Sequence, residues 1–269
     1  MTVCKIHKRK DTVVNMSTYE ITFSPTGGTK KISELVAKYM GGETQAIDLL
    51  KRDTEYEKIA FHSEDICIIA VPSYGGRVPA EAVARLSKMQ GGNAKAILLV
   101  VYGNRAYEDT LLELKNTVAE AGFVPVAAIT AIAEHSIMHQ FAAGRPDAED
   151  EKELKSFAER IHTKLENEDT FTELTVPGNF PYKERHGGGM KPMAGEDCIK
   201  CGLCAVECPV GAISVEAPAK VDENKCISCM RCISVCPRQA RALDKDMLAN
   251  TVERLKEACG GRKETELFL

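Results

Sequence analysis

The chain has little surplus charge, a net of −4 at pH 7 over 269 residues. So small a surplus gives no case for nucleic acid or an anionic membrane as partner. No apolar run approaches the roughly 18 residues of a spanning helix, so no membrane is expected either. The first 16 residues, MTVCKIHKRKDTVVNM, carry a basic patch but no apolar stretch. A secretory signal is therefore not expected there, and a disordered tail without chemistry is. Met16 stands just before the first strand-like segment, which leaves open whether residues 1–16 belong to the native chain. Without an export signal the expectation is a cytoplasmic protein with reduced cysteines. Two nucleotide fingerprints are also missing: there is no GxxxxGK[ST] and no GxGxxG.

What is present is an ordinary globular composition, 28% charged and 44% hydrophobic, long enough for two domains. The first 166 residues alternate strand-like and helix-like segments. Strands are expected at 17–24, 44–50, 65–71, 95–102 and 124–133. Helices are expected at 30–40, 78–89, 107–122 and 146–166, where the apolar residues fall at helical spacing. This alternation implies βαβ units and an α/β fold, a doubly wound five-stranded parallel sheet. Ligands in such sheets bind beyond the carboxyl ends of the strands. Residues 167–190, rich in Pro, Gly and polar residues, read as a linker, partly ordered on one or both domains. A compact α+β domain is expected at 191–243, and a C-terminal helix (245–259) with a tail closes the chain.

Eight of the eleven cysteines lie between residues 198 and 236. Of the others, Cys67 sits in the apolar run ICIIAV and reads as core, while Cys4 and Cys259 have no assigned role. The eight form CIKCGLCAVECP and, 28 residues later, CISCMRCISVCP. Both copies read C-x2-C-x2-C-x3-C-P. Structural zinc uses two CxxC units, without the third cysteine and the CP ending. The doubled pattern resembles the bacterial two-cluster ferredoxins, in which the fourth cysteine of each run ligates the other cluster. The resemblance implies two 4Fe-4S clusters. One takes Cys198, Cys201, Cys204 and Cys236; the other takes Cys226, Cys229, Cys232 and Cys208. The intervening AISVEAPAKVDENK reads as a short hairpin. The second copy carries Arg231, with Arg238 and Arg241 just after it, while Glu196, Asp197 and Glu207 flank the first beside Lys200, so the second cluster is expected at the higher potential.

The loop after the first strand is Ser24-Pro25-Thr26-Gly27-Gly28-Thr29, running into a helix. Hydroxyls, glycines and a helix N-terminus together suit a phosphate; the competing reading is a helix cap in a tight turn. The loops after the third and fourth strands, Ser73-Tyr74-Gly75 and Tyr102-Gly103-Asn104, each set an aromatic residue beside glycine. A mononucleotide with a flat ring accounts for all three. The pattern is similar to the flavodoxin family over residues 17–166. That similarity implies FMN, with Ser24, Thr26, Gly27, Gly28 and Thr29 on the phosphate. Ser73, Tyr74 and Gly75 would lie on one side of the ring, with Tyr102, Gly103 and Asn104 on the other, Tyr102 being the stacking partner. Arg77 and Arg105 place positive charge by these loops, which would favour reduced flavin; the competing reading is a pair of solvated surface arginines.

The whole resembles the flavodoxin–ferredoxin fusion proteins of anaerobes. It implies an electron carrier that joins two-electron flavin chemistry to one-electron iron–sulfur chemistry and meets redox partner proteins. The alternative is an FMN-dependent reductase of a small molecule such as a quinone, with His135 and His139 as candidate cavity residues against a plain polar loop. The sequence does not choose between carrier and enzyme.

Overall fold

The computed structural model describes residues 17–167, 171–185 and 189–269, so the expected N-terminal tail lies outside the described residues. The five expected strands form as β1 (Thr18–Thr22), β2 (Thr44–Asp48), β3 (Ile66–Pro72), β4 (Lys95–Tyr102) and β5 (Val124–Ile132). Between them run α1 (Gly28–Met40), α2 (Ala80–Leu86) and α3 (Thr110–Glu120), with α4 (Ala148–Asn167) after β5. All five strands are parallel, in the order β2-β1-β3-β4-β5. This is the flavodoxin-like doubly wound order.

Two apolar layers explain the arrangement. Successive side chains of a strand point to opposite faces. In β3 and β4, Cys67, Ile69, Leu98 and Val100 therefore face one layer, with Leu86 of α2 and Leu111 and Leu114 of α3. Ile68, Ile97 and Leu99 face the other, with Ile32 and Val36 of α1 and Leu154 and Ile161 of α4. Both faces being covered, the central strands read as unbroken apolar runs.

The second half contains β6 (Met193–Ala194), α5 (Leu203–Val206), α6 (Arg231–Ser234) and β7 (Arg241–Ala242), with β6 and β7 paired antiparallel. Its backbone repeats as its sequence does. Lys200 and Ser228, Gly202 and Met230, and Gly211 and Gln239 all have positive φ, and each pair is 28 residues apart. Four of these six are not glycine. Side chains held in the left-handed region mark a backbone shaped for a task.

Two expectations, the hairpin and the C-terminal tail, need correction. The stretch 212–225 forms no strand, so the hairpin is absent and the small sheet uses residues outside it. The described part of the linker is ordered on the sheet half. Leu174 is buried, and Asp109 accepts from the amides of Asn179 and Lys183 at 2.9 and 2.7 Å. The end of the chain is not a tail. After α7 (Lys245–Leu255), β8 (Glu266–Phe268) joins β5 antiparallel as a sixth strand. Leu267 packs on one layer and Phe268 on the other, while Glu266 accepts from Tyr107 and Thr130 at 2.7 and 3.0 Å. A hydrogen-bonding edge of the sheet is thereby covered.

The turn before α4 holds a buried ion pair. Arg145 donates through Nε to Asp150 at 2.8 Å, and through Nη1 to the carbonyl of Lys263 at 2.6 Å. The Asp150 side chain is 1% exposed. Removing one partner of such a pair strands the other charge. Asp150→Ala is expected to lower stability by about 3–5 kcal/mol, read by urea unfolding; a loss under about 1 kcal/mol would contradict the role given to the pair.

Candidate functional site

A cavity of about 640 Å³ opens at the carboxyl ends of β1, β3, β4 and β5. That volume suits one small-molecule ligand. Eight of the eleven residues expected around a mononucleotide line it: Thr26, Gly28, Thr29, Ser73, Tyr74, Gly75, Tyr102 and Gly103. The other three are placed differently. Ser24 Oγ accepts from the Lys30 amide at 2.9 Å, so this hydroxyl caps α1. Gly27, at φ 93°, turns the chain into α1. Asn104 points away and donates to the carbonyls of Cys259 and Gly261, both at 2.7 Å. It pins the end of the chain to the β4 loop.

The rings differ in their surroundings. Burial, Cys229 and Glu81 push the Tyr74 phenol well above its ordinary value. Tyr74 thus lines the cavity and is within electrostatic reach of Cys229. Tyr102 packs edge-on against Tyr107, with ring centroids 5.4 Å apart. Its phenol is pushed up to about 12 by burial, with Glu266 adding to the effect. Gly103 is required by a close approach: a Cβ there would meet the His135 ring at 2.5 Å.

Arg77 and Arg105 do not carry free charge at these loops. Arg77 pairs with buried Glu113 at 2.7 Å and lies over the Tyr182 ring; Arg105 pairs with Glu108 at 2.9 Å. Neither lines the cavity. The residues the sequence did not flag are Glu81, Glu134, Arg185, Lys191 and Lys225, all on its wall.

His135 lines the cavity, whereas His139 is an exposed partner of Glu134 at 2.8 Å. His135 Nδ1 accepts from the amides of Ile137 and Met138, both at 3.1 Å. An accepting Nδ1 places the ring proton on Nε2. Burial, and then the neighbouring His139, lower its pKa from 6.5 to about 4.

The eight cysteines gather into two quartets, each around its own small cavity. Cys198, Cys201, Cys204 and Cys236 surround one; Cys208, Cys226, Cys229 and Cys232 surround the other. The fourth cysteine of each run thus crosses to the opposite set. The Ala212 and Ala240 amides donate to Cys208 and Cys236 Sγ, each at 3.3 Å and again 28 residues apart. The arginines do not segregate as expected. Arg238 and Arg241 line the first quartet's cavity, carried there by the crossing of Cys236. Arg231 lines the second, but Glu207 pairs with it.

Residues 197–240 match a family described as the 4Fe-4S dicluster domain. Over 49 residues the chain is 39% identical to Ferredoxin-2 of Chlorobaculum tepidum, covering 16% of this chain and 79% of that protein. By this domain the chain belongs to the ferredoxin family. The chain is also 46% identical over 61 residues to a polyferredoxin protein of Methanothermus fervidus, covering 23% of this chain and 15% of that one. It spans between 15% and 34% of the length of the first four curated relatives it matches. A solved flavodoxin of Streptococcus pneumonia TIGR4 aligns over 55% of this chain and 99% of its own, at 19% identity and a TM-score of 0.40. No helix among the described residues is long and apolar enough to cross a membrane.

The ferredoxin domain is seated on the nucleotide-type loops. Arg231 Nη1 and Ser234 Oγ both donate to the Pro25 carbonyl, at 3.2 and 3.3 Å. Arg85 donates to the Pro209 carbonyl at 2.6 Å, and Lys51 pairs with Glu207 at 3.7 Å. The cavity wall is completed by Cys226, Ile227 and Ser228 of the second run.

A buried neutral histidine sets a pH dependence. Its folded pKa of about 4 lies below the ordinary 6.5. Between those values the unfolded chain binds the extra proton, so stability falls as pH falls through this window. His135→Gln should lose on the order of 2–3 kcal/mol less than wild type between pH 7 and pH 4 in urea unfolding. Parallel losses in the two proteins would show that His135 is not held neutral by the fold.

Proposed function

We propose that the chain is an electron-transfer protein, with FMN in the cavity and one 4Fe-4S cluster in each cysteine quartet. The observation that carries this reading is the shared wall: Cys226 lines both the large cavity and the second quartet's cavity. A carrier that converts two-electron to one-electron chemistry needs its sites that close.

The residues fit the groups. Thr26, Gly28 and Thr29 sit at the N-terminus of α1, where backbone N–H groups and hydroxyls favour a phosphate. Gly75 faces open space and leaves room for a flat ring beside Tyr74, and Tyr102 lines the same cavity. Each quartet offers four thiols, with left-handed residues turning the backbone around them. Among the described residues no three His, Cys, Asp or Glu side chains converge tightly on one ion. Four corners of a cube are more widely spread than ligands of a single zinc. When bound, FMN supplies two-electron chemistry and each cluster a one-electron site. The chain positions them on either side of the wall that Cys226 and Ile227 share.

Cys201 is the exposed cysteine of the first quartet, and Ile199, Val206 and Val215 are exposed large apolar residues of the same domain. This supports a redox partner protein meeting the first quartet while the second faces the flavin. A reductase acting on a small molecule such as a quinone is the second reading, favoured by the His135 Nε2–H donor on the cavity wall. Turnover of quinones by the reduced protein separates the two.

Anaerobically purified chain should hold about eight irons and one FMN, by the stoichiometry of two runs. Cys208→Ser and Cys236→Ser should each lose about half the iron, since each run completes the other's quartet. Full iron in either variant, or zinc in place of iron, would overturn the assignment.

The placement of the arginines reverses the potential order expected from the sequence. Lys200, Arg238 and Arg241 line the first quartet, whereas at the second Glu207 neutralises Arg231 and leaves Lys191, on the Cys226 carbonyl. Nearby positive charge stabilises a reduced cluster. In EPR-monitored redox titrations, the first quartet, observed alone in Cys208→Ser, should titrate at a higher potential than the second, observed alone in Cys236→Ser. The opposite order would count against charge as the controlling factor.

A further inference from the structure

Three cationic side chains line the large cavity: Arg185, Lys191 and Lys225. Two have a carboxylate partner, Glu113 being shared by Arg185 and Arg77. Arg185 pairs with Glu113, and Lys225 pairs with Asp222 at 3.6 Å. Lys191 has no ion-pair partner among the described residues. Neutral oxygens hold it instead: Nζ donates to the Cys226 carbonyl at 2.6 Å and to Ser228 Oγ at 3.4 Å. The chain passes close by just before it: a Cβ at Gly189 would meet Ser228 Oγ at 2.7 Å.

An ammonium has three donors, and two neutral acceptors leave one N–H for the cavity. A partly buried charge without a counter-charge is costly unless a ligand completes its shell. A second group on the same wall is also unmet. Glu81 Oε2 is buried without a hydrogen-bond partner. Two unsatisfied groups of opposite sign around one cavity describe a ligand edge bearing both an N–H donor and an acceptor that can become anionic. A cyclic imide has this chemistry. The pyrimidine edge of the flavin ring is one, and the ring carries an added negative charge once it has taken up two electrons and one proton.

We propose that Lys191, supplied by the ferredoxin half of the chain, is a flavin-binding residue that favours the reduced, anionic ring, while Glu81 accepts from the ring's N–H. The inference rests on the FMN reading above. It makes the C-terminal domain part of the flavin site and not only a neighbour of it. It also gives the site the positive charge that Arg77 and Arg105, being paired, do not supply.

The test uses the full chain with its iron–sulfur clusters, stripped of flavin and titrated anaerobically with FMN. Fluorescence gives the affinity for oxidised FMN, and equilibration with dithionite and a reference dye gives the flavin midpoint. Dithionite supplies the electrons. Lys191→Met should lose on the order of tenfold in its preference for reduced over oxidised FMN, as one removed charge warrants. For a two-electron couple this is a midpoint lower by about 30 mV. Lys191→Arg, which keeps the charge, should restore it. Lys191→Gln still offers a donor to the Cys226 carbonyl, and it keeps the test readable if Lys191→Met fails to load iron. A preference unchanged in Lys191→Gln, with full iron content, would overturn the proposal while leaving the FMN reading intact. Wild-type chain that binds no FMN would overturn both.

Discussion

One short piece of chain, Cys226 to Ser228, has to face two ways. Its cysteine belongs to a quartet, and the same three residues close the wall of the large cavity. The rest of the architecture follows from keeping that piece in place. Arg231 and Ser234 anchor α6 to the Pro25 carbonyl on the first loop of the parallel sheet. Lys191 ties the incoming segment to the Cys226 carbonyl. Arg85 and Lys51 hold the other end of the ferredoxin domain against the sheet's helical layer. Each contact is a modest hydrogen bond or ion pair alone, worth about 1 kcal/mol. Together they fix an orientation more than they add stability.

The sheet supplies the rigid side of this arrangement. Its central strands are buried on both faces, so the loops at their carboxyl ends are held by a core that does not yield locally. The chain's last residues brace the same end. Asn104 grips the carbonyls of Cys259 and Gly261, and β8 closes the edge beside β5. A terminus that looks dispensable in the sequence thus stiffens a loop next to the cavity.

The parts legible in the sequence are those set by repeated local patterns. The apolar runs 65–71 and 95–102 read as buried strands because covering on both faces leaves no polar alternation. The cysteine runs give the crossed quartets because a fixed spacing reports fixed metal geometry. What escapes is set by distant partners. Glu266, Leu267 and Phe268 are too few to show a period, and only their docking on β5 makes them a strand. Arg77 looks like free charge because Glu113, 36 residues away, is invisible as its partner in one dimension. Lys191 stands just past the stretch that reads as linker, and nothing local marks it as facing a cavity. The arginines after the second run are misplaced by sequence reasoning for a topological reason: the crossing of Cys236 takes Arg238 and Arg241 with it.

A cofactor in the large cavity that lies against the second quartet, and not the first, should couple to one cluster only. Half-reduced, fully loaded protein allows a direct measurement, the magnetic coupling between flavin and iron–sulfur signals in EPR. Coupling is expected in wild type, kept in Cys236→Ser and lost in Cys208→Ser. Coupling that survives in Cys208→Ser but disappears in Cys236→Ser would contradict this placement.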